Sequence, residues 1–382
     1  MSGKAKVITF LIGNGFDIAC LNAIGQDHKT TYKEFYNYTR WHLKKDNEFL
    51  KRMGDDLVLW NQFEKSFSKM IEKKREELKE IDDIVKQDEL YIKIMNDWDD
   101  IQILFSNFIN EVITPEVLQR AGKMAGDSLA LDFLLDLKRG YNLYPDHYDD
   151  LDVNIINFNY SALFDNYIKG TDDPHPFKDS KNNYKFSYST KKGESRVRYL
   201  KLRKCIFHPH GQVSIPSSML IGKSSSKKQY LCSDARRTNL MYRPMMLEKR
   251  LNKVYWYQND KYMEKEVANS DIFVSFGLSI GESDKYWWEL VCRKVYQNQA
   301  TKLFFYAFND EKLVKQDKEV NIIDELLGYL TDEQKKDVQA VTNFKKSLSI
   351  IVFEDVKELK SHFNFEYTDV IKNNDVNKND KA

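Results

Sequence analysis

Short apolar runs rich in β-branched and aromatic residues recur along the chain at Lys6–Ile12, Val153–Phe158, Cys205–His208, Met219–Ile221, Asp271–Phe276, Lys302–Phe308 and Leu348–Phe353. Most are continuous rather than alternating, which is the pattern of strands buried on both faces of a parallel sheet. Helical patterns fill the intervals, so the fold class predicted is α/β. From about Thr31 to Leu137 no strand-like run appears, while Leu57, Trp60, Phe63, Phe67, Met70 and Ile71 follow helical spacing and a charged helix is expected over Lys73–Glu80. The pattern therefore predicts one α/β domain over residues 1–365 with a helical insertion at about 31–140. Within that insertion Glu64 falls between Trp60 and Phe67 on the apolar face, either reaching into a cleft or sitting at the edge of the stripe.

Polar segments mark the remaining punctuation. Thr171–Arg198 is interrupted by Pro174 and Pro176 and reads as an excursion or mobile loop; Lys223–Lys228 is rich in Ser and Lys. Residues 366–382 lack apolar anchors and are expected to form a disordered tail. No internal repeat is present.

Composition narrows the class without naming a chemistry. With 382 residues, 42% hydrophobic, 31% charged and 13% aromatic, the chain is long enough for a sizeable core, and 15 Gly and 7 Pro exclude a linker-dominated protein. A net charge of +1 argues against a generally cationic surface for nucleic acid. Cys20, Cys205, Cys232 and Cys292 stand far apart with no C-x-x-C pair, which reads as buried thiols in a reducing compartment. No signal peptide is evident and no apolar run approaches the ~18 residues of a membrane span, so a cytoplasmic location without membrane contact is expected.

Four strand ends carry the candidate chemistry. The first, Val7–Asp17, enters a turn at Gly13-Asn14-Gly15 and then meets Asp17. Such a turn places backbone N–H groups against a phosphate or ribose. It lacks the third glycine of the dinucleotide fingerprint, since Ile18 stands there, and Asp17 would repel a phosphate docked at the helix start. The second, Asn154–Asp165, ends its apolar run at Phe158, so Asn159 stands where a ligand meets the sheet edge, or else caps the following helix with Ser161 nearby. The third, Cys205–Ser214, holds His208 and His210; Gly211 leaves room for His210 to face a cleft as a general base. If extended, the two histidines point to the same side, but no third metal ligand accompanies them and no metal is expected. The fourth, Ser270–Leu290, turns at Gly277 and Ser279 and opens a helix at Asp284, a candidate site for ribose or phosphate, with Trp287 and Trp288 expected in the core. In a parallel sheet these ends converge on one cleft.

The ordered set GNGFD, TTYKEFY (Thr30–Tyr36), LWNQFE (Leu59–Glu64), NFNYS, HPHG and FGLSIGESD resembles the bacterial abortive-infection protein AbiH family over most of the chain to about Leu290. That family is related to the sirtuin-like NAD-binding fold. The resemblance implies a Rossmann-like parallel sheet, phage defence and NAD or a related nucleotide as substrate or ligand. By position, Asn159 takes the catalytic amide role, with Ser161 departing from the usual acid; His210 contacts the nicotinamide ribose as base. Gly13, Asn14 and Gly15 flank the diphosphate, with Gly277, Ser279 and Asp284 on the adenosine side. Asp17 departs from the hydroxyl residue found there in sirtuins and is assigned the stabilisation of developing positive charge. The C-x-x-C zinc pairs of protein deacylases are absent, so deacylation is not expected. Two rivals remain. Lys201, Arg203, Lys204, Lys223, Lys227, Lys228, Arg236 and Arg237 flank His210 and suit RNA or DNA cleavage in the same cleft. Alternatively, the cleft is a non-catalytic sensor of infection. A phage-derived trigger and further copies of the chain are the other partners considered.

Overall fold

A computed structural model describes residues 6–42, 46–54, 56–61, 63–124, 151–169, 183–189, 195–221, 242–251, 261–309, 313–355 and 358. Strand β1 (Lys6–Ile12) leads into helix α1 (Asn14–Ile24). Among the described residues six helices follow before the next strand: α2 (Tyr32–His42), α3 (Glu48–Met53), α4 (Leu57–Asn61), α5 (Phe63–Lys79), α6 (Ile84–Val112) and α7 (Pro115–Met124). Then come β2 (Leu151–Asn157), α8 (Leu163–Lys169), β3 (Asn183–Ser189), β4 (Ser195–Phe207), α9 (Tyr242–Leu251) and α10 (Lys261–Asn269). The chain continues through β5 (Ile272–Phe276), α11 (Lys285–Gln297), β6 (Lys302–Phe308), α12 (Lys315–Leu327), α13 (Asp332–Lys336), α14 (Val338–Lys346) and β7 (Leu348–Phe353).

The strands form one sheet in the order β3-β4-β2-β1-β5-β6-β7, parallel throughout except for the antiparallel β3–β4 pair at one edge. With the parallel strands numbered in chain order, that is the doubly wound arrangement 3-2-1-4-5-6. The chain winds outward in one direction from β1 and in the other from β5. The crevice between the carboxyl ends of these two strands is therefore the topological switch point, where such sheets bind ligands.

Alternate side chains of each central strand enter different cores. Ile8, Phe10 and Ile12 of β1 join a cluster with α2, α4, α5 and α6, whereas Leu11 packs on the opposite face with Trp287 and Trp288. In β6, Phe304 and Tyr306 face the first cluster and Leu303, Phe305 and Ala307 the second. Double-sided burial explains why these runs are continuously apolar. Trp287 and Trp288 are core residues, as expected.

Two expectations are corrected. Met219–Ile221 is not a strand: Met219 and Ile221 are buried and Leu220 half-buried in a loop that returns on His210, with Leu220 N–H donating to the His210 carbonyl. Part of the segment read as an excursion is ordered sheet, since Asn183–Ser189 and Ser195–Phe207 form the edge hairpin. Residues 170–182, the Lys223–Lys228 stretch, the part of the expected insertion beyond 124 and the 366–382 tail lie outside the described residues. Among the described residues no helix is long and apolar enough to cross a membrane.

The switch point is sealed by glycines meeting backbone to backbone. A Cβ on Gly13 would lie 2.4 Å from the Gly277 carbonyl oxygen, and one on Gly277, itself at φ +70°, would lie 2.4 Å from the Phe16 nitrogen. Gly277→Ala combines a left-handed backbone with a clash against main chain that has no room to move. We expect it to lower the unfolding free energy by about 2 kcal/mol or more, read as a reduced urea midpoint.

Candidate functional site

A cavity of about 840 Å³ opens at the switch point. Gly13, Asn14, Asp17, Asn159, His210, Gly277, Ser279 and Asp284 all lie on its wall, brought there from four strand ends, whereas Gly15 packs against Gly277 instead. Its size falls within the range of small-molecule sites.

The expected phosphate cradle is not available in the form the sequence suggests. Gly13 N–H donates to the Phe276 carbonyl, Gly15 N–H to the Gly277 carbonyl and Phe16 N–H to the Gly13 carbonyl, at 2.9–3.0 Å. These donors tie two turns together rather than face a ligand. Asn14 is committed too: its Nδ2 donates to the Thr30 carbonyl at 2.9 Å and its Oδ1 accepts from Thr30 Oγ1 at 2.7 Å, clamping the start of the helical segment to α1.

Asn159 is held from three directions. Its backbone N–H donates to Asn157 Oδ1 at 3.0 Å, its carbonyl oxygen lies 3.2 Å from His208 Nδ1, and its side-chain Nδ2 donates to Asp17 Oδ1 at 2.8 Å. His208 is fixed in turn through Nε2, 2.9 Å from Asp165 Oδ2, while Asp165 Oδ1 accepts from Asn157 Nδ2 at 3.1 Å. Bonding to a carboxylate fixes which end of the Asn159 amide is nitrogen. Its Oδ1 is consequently defined as an acceptor, and it is buried without a hydrogen-bond partner among the described residues. A buried unsatisfied amide oxygen is costly and calls for an explanation.

Asp17, only 1% exposed, sits on the first turn of α1 and accepts from Asn159 and, at 2.5 Å, from Ser161 Oγ. Burial raises its carboxyl from 3.8 to about 7, against the opposing pull of the Ser161 and Asn159 hydrogen bonds. Asp17 thus reaches Asn159 through space, from the first turn of α1.

His210 and His208 do not point to one side. Strand β4 ends at Phe207, and beyond it His210 Nε2 lies 2.8 Å from Asp284 Oδ1 on the cavity wall, while His208 turns to Asp165. Asp284, expected among the cofactor contacts, lies on the cavity wall and also orients His210. Phe158 and Tyr160 pack on the imidazole at centroid distances of 5.4 and 5.8 Å. The loop is tied down by α6, whose Gln102 Nε2 donates to the Met219 carbonyl and Ser106 Oγ to the Val213 carbonyl.

The helices before β2 also form the facing wall. Glu64 does reach the cavity: its Oε1 accepts from Tyr32 Oη at 2.8 Å, and Tyr32 stacks on Phe63 and Phe105. Burial and then the Glu64 charge push the Tyr32 phenol well up, and burial, followed by the Glu64 and Asp284 charges, does the same to Tyr160. Sequence periodicity marked Glu64, but Tyr32 and Tyr160 carried no comparable signal. Side-chain positions of Lys201, Arg203 and Lys204, and the whole of Lys223, Lys227, Lys228, Arg236 and Arg237, lie outside the described residues.

Compared with known families, residues 9–306 match the model described as bacteriophage abortive infection AbiH. No curated protein matches the chain.

Proposed function

Because the chain belongs to the bacteriophage abortive infection AbiH family, we propose that its switch-point cavity hydrolyses the glycosidic bond of NAD or a related nucleotide and so arrests the infected cell. The observation that carries this reading is the buried, unsatisfied Asn159 Oδ1, held beside the His210–Asp284 pair in a cavity of nucleotide size. A polar acceptor of this kind is satisfied by a hydroxyl or water donated from outside the protein.

In the proposed reaction Asn159 Oδ1 accepts a hydrogen bond from a ribose hydroxyl or from the attacking water and fixes its position. The carbon–nitrogen bond breaks with its electron pair leaving on nicotinamide, and the sugar carbon becomes oxocarbenium-like. Water oxygen then bonds to that carbon and gives its proton to His210, with Asp284 stabilising the imidazolium. Nicotinamide and ADP-ribose are the products, and His210 returns the proton to solvent. Asp17 acts through Asn159: a carboxylate bonded to Nδ2 raises the electron density on Oδ1, which favours the positive charge developing on the sugar.

The test is incubation of the purified chain with NAD, and separately with RNA and DNA, with products resolved by liquid chromatography. Release of nicotinamide with intact nucleic acid supports the reading. Cleaved RNA or DNA with intact NAD would replace it with a nuclease, and a nucleotide carried uncleaved through purification would favour a sensor.

A further inference from the structure

The committed amides of Gly13, Gly15 and Phe16 leave open how this cavity holds the phosphates of a nucleotide. Two unspent cations stand on the part of its wall formed by α5. Lys65 and Lys69, one turn apart on α5, line the cavity and are exposed, with no hydrogen-bond or ion-pair partner among the described residues. Further along the same helix Lys74, Arg75 and Lys79 are ion-paired with Glu48, Glu76 or Glu77. Helix α5 also packs against the 3-10 turn Glu282–Asp284, and Ser279 and Ser283 line the same cavity as the two lysines.

We infer that Lys65 and Lys69 form the phosphate-binding subsite of the cavity, supplied by the helical segment rather than by the glycine turn; this rests on the reading of the cavity as a nucleotide site. The electrostatics select this position. Asp17, Glu64, Glu72, Glu282 and Asp284 also line the wall, so an anion is repelled over much of the surface. Near two ammonium groups spaced i, i+4 that repulsion is offset, and a diphosphate accepts from both at once. The phosphates are thereby directed to Lys65 and Lys69, and Asn159 and His210, elsewhere on the wall, are left for the glycosidic end. A pyridinium, being cationic, suits that end.

Calorimetry on the full chain with ADP and with adenosine separates this assignment from catalysis. For Lys65→Ala/Lys69→Ala the ADP dissociation constant should rise about ten- to a hundredfold at low salt, while that for adenosine stays constant. Lys65→Arg/Lys69→Arg should restore ADP binding to within a few-fold, because the charges are kept. The dependence of ADP affinity on salt should be shallower in the alanine variant. Equal ADP affinity in the native chain and the alanine variant overturns the subsite, as does failure of the native chain to bind ADP. Lysine-dependent ADP binding with intact NAD would instead leave the subsite standing and remove only the hydrolytic reading.

Discussion

Replacing His210 with alanine is expected to lower the turnover of NAD about 10²–10⁴-fold, the range a positioned general base contributes, while NAD affinity changes by less than about tenfold. The asymmetry follows from position. His210 sits at the glycosidic end of the cavity as proposed, whereas affinity is assigned largely to contacts elsewhere. The substitution also leaves Asp284, 3% exposed, without its imidazole, and an uncompensated buried carboxylate destabilises the fold. Activity is therefore measured well below the variant's own urea midpoint, alongside Asp284→Asn, which keeps the volume and removes only the charge that supports the imidazolium. Both variants should bind NAD and turn it over slowly. Undiminished turnover in His210→Ala removes the residue from the reaction.

Much of the scaffold is legible in the apolar pattern, for a physical reason. The apolar runs at Lys6–Ile12, Lys302–Phe308 and Leu348–Phe353 coincide with β1, β6 and β7; in β1 and β6 both faces are buried against separate cores, so the runs stay almost wholly apolar, the one polar position inside β1 being Thr9, whose hydroxyl is hydrogen-bonded to Ser270 Oγ. The edge hairpin is less visible because its strands alternate: in β3, Tyr184, Phe186 and Tyr188 are separated by Lys185 and Ser187. A polar alternation beside prolines reads as loop until its antiparallel partner is known. Met219–Ile221 fails in the opposite sense, since apolar residues buried in a loop leave the same local trace as a short strand.

At the site, convergence on a cavity wall is legible and pairing is not. Asp17, Asn159 and His210 meet because each follows or ends a parallel strand, a consequence of topology that strand patterns carry. The His208–Asp165 and His210–Asp284 pairs link residues 43 and 74 positions apart, and no local spacing encodes them. The glycine turn shows a subtler failure. Absence of a side chain permits close approach to a phosphate or to another backbone, and only the placement of Gly277 shows that Gly13 and Gly15 serve the second purpose.

Asp17→Asn is expected to gain stability relative to the native chain as pH rises, by up to about 4 kcal/mol, because the Asp17 carboxyl lies at about 7 in the folded chain against 3.8 ordinarily. In that interval the folded chain binds a proton that the unfolded chain has released. Stability contributed by the protonated group is therefore present below pH 3.8, lost progressively toward pH 7 and absent above it. Asparagine is nearly isosteric: its Oδ1 still accepts from Asn159 Nδ2, and its own Nδ2 can donate to Ser161 Oγ in place of the hydroxyl's former donation. The variant thus removes the titration while keeping the bond that aligns Asn159. Urea unfolding at pH 5 and pH 8 reads the difference, and parallel pH slopes for the two proteins would exclude a raised Asp17. Activity should move the other way. If the ionised carboxylate enriches Asn159 Oδ1 with electron density, native turnover rises through about pH 7 and the variant lacks that limb. A chain that becomes more stable and less active on losing one buried charge has kept that charge for chemistry rather than for folding.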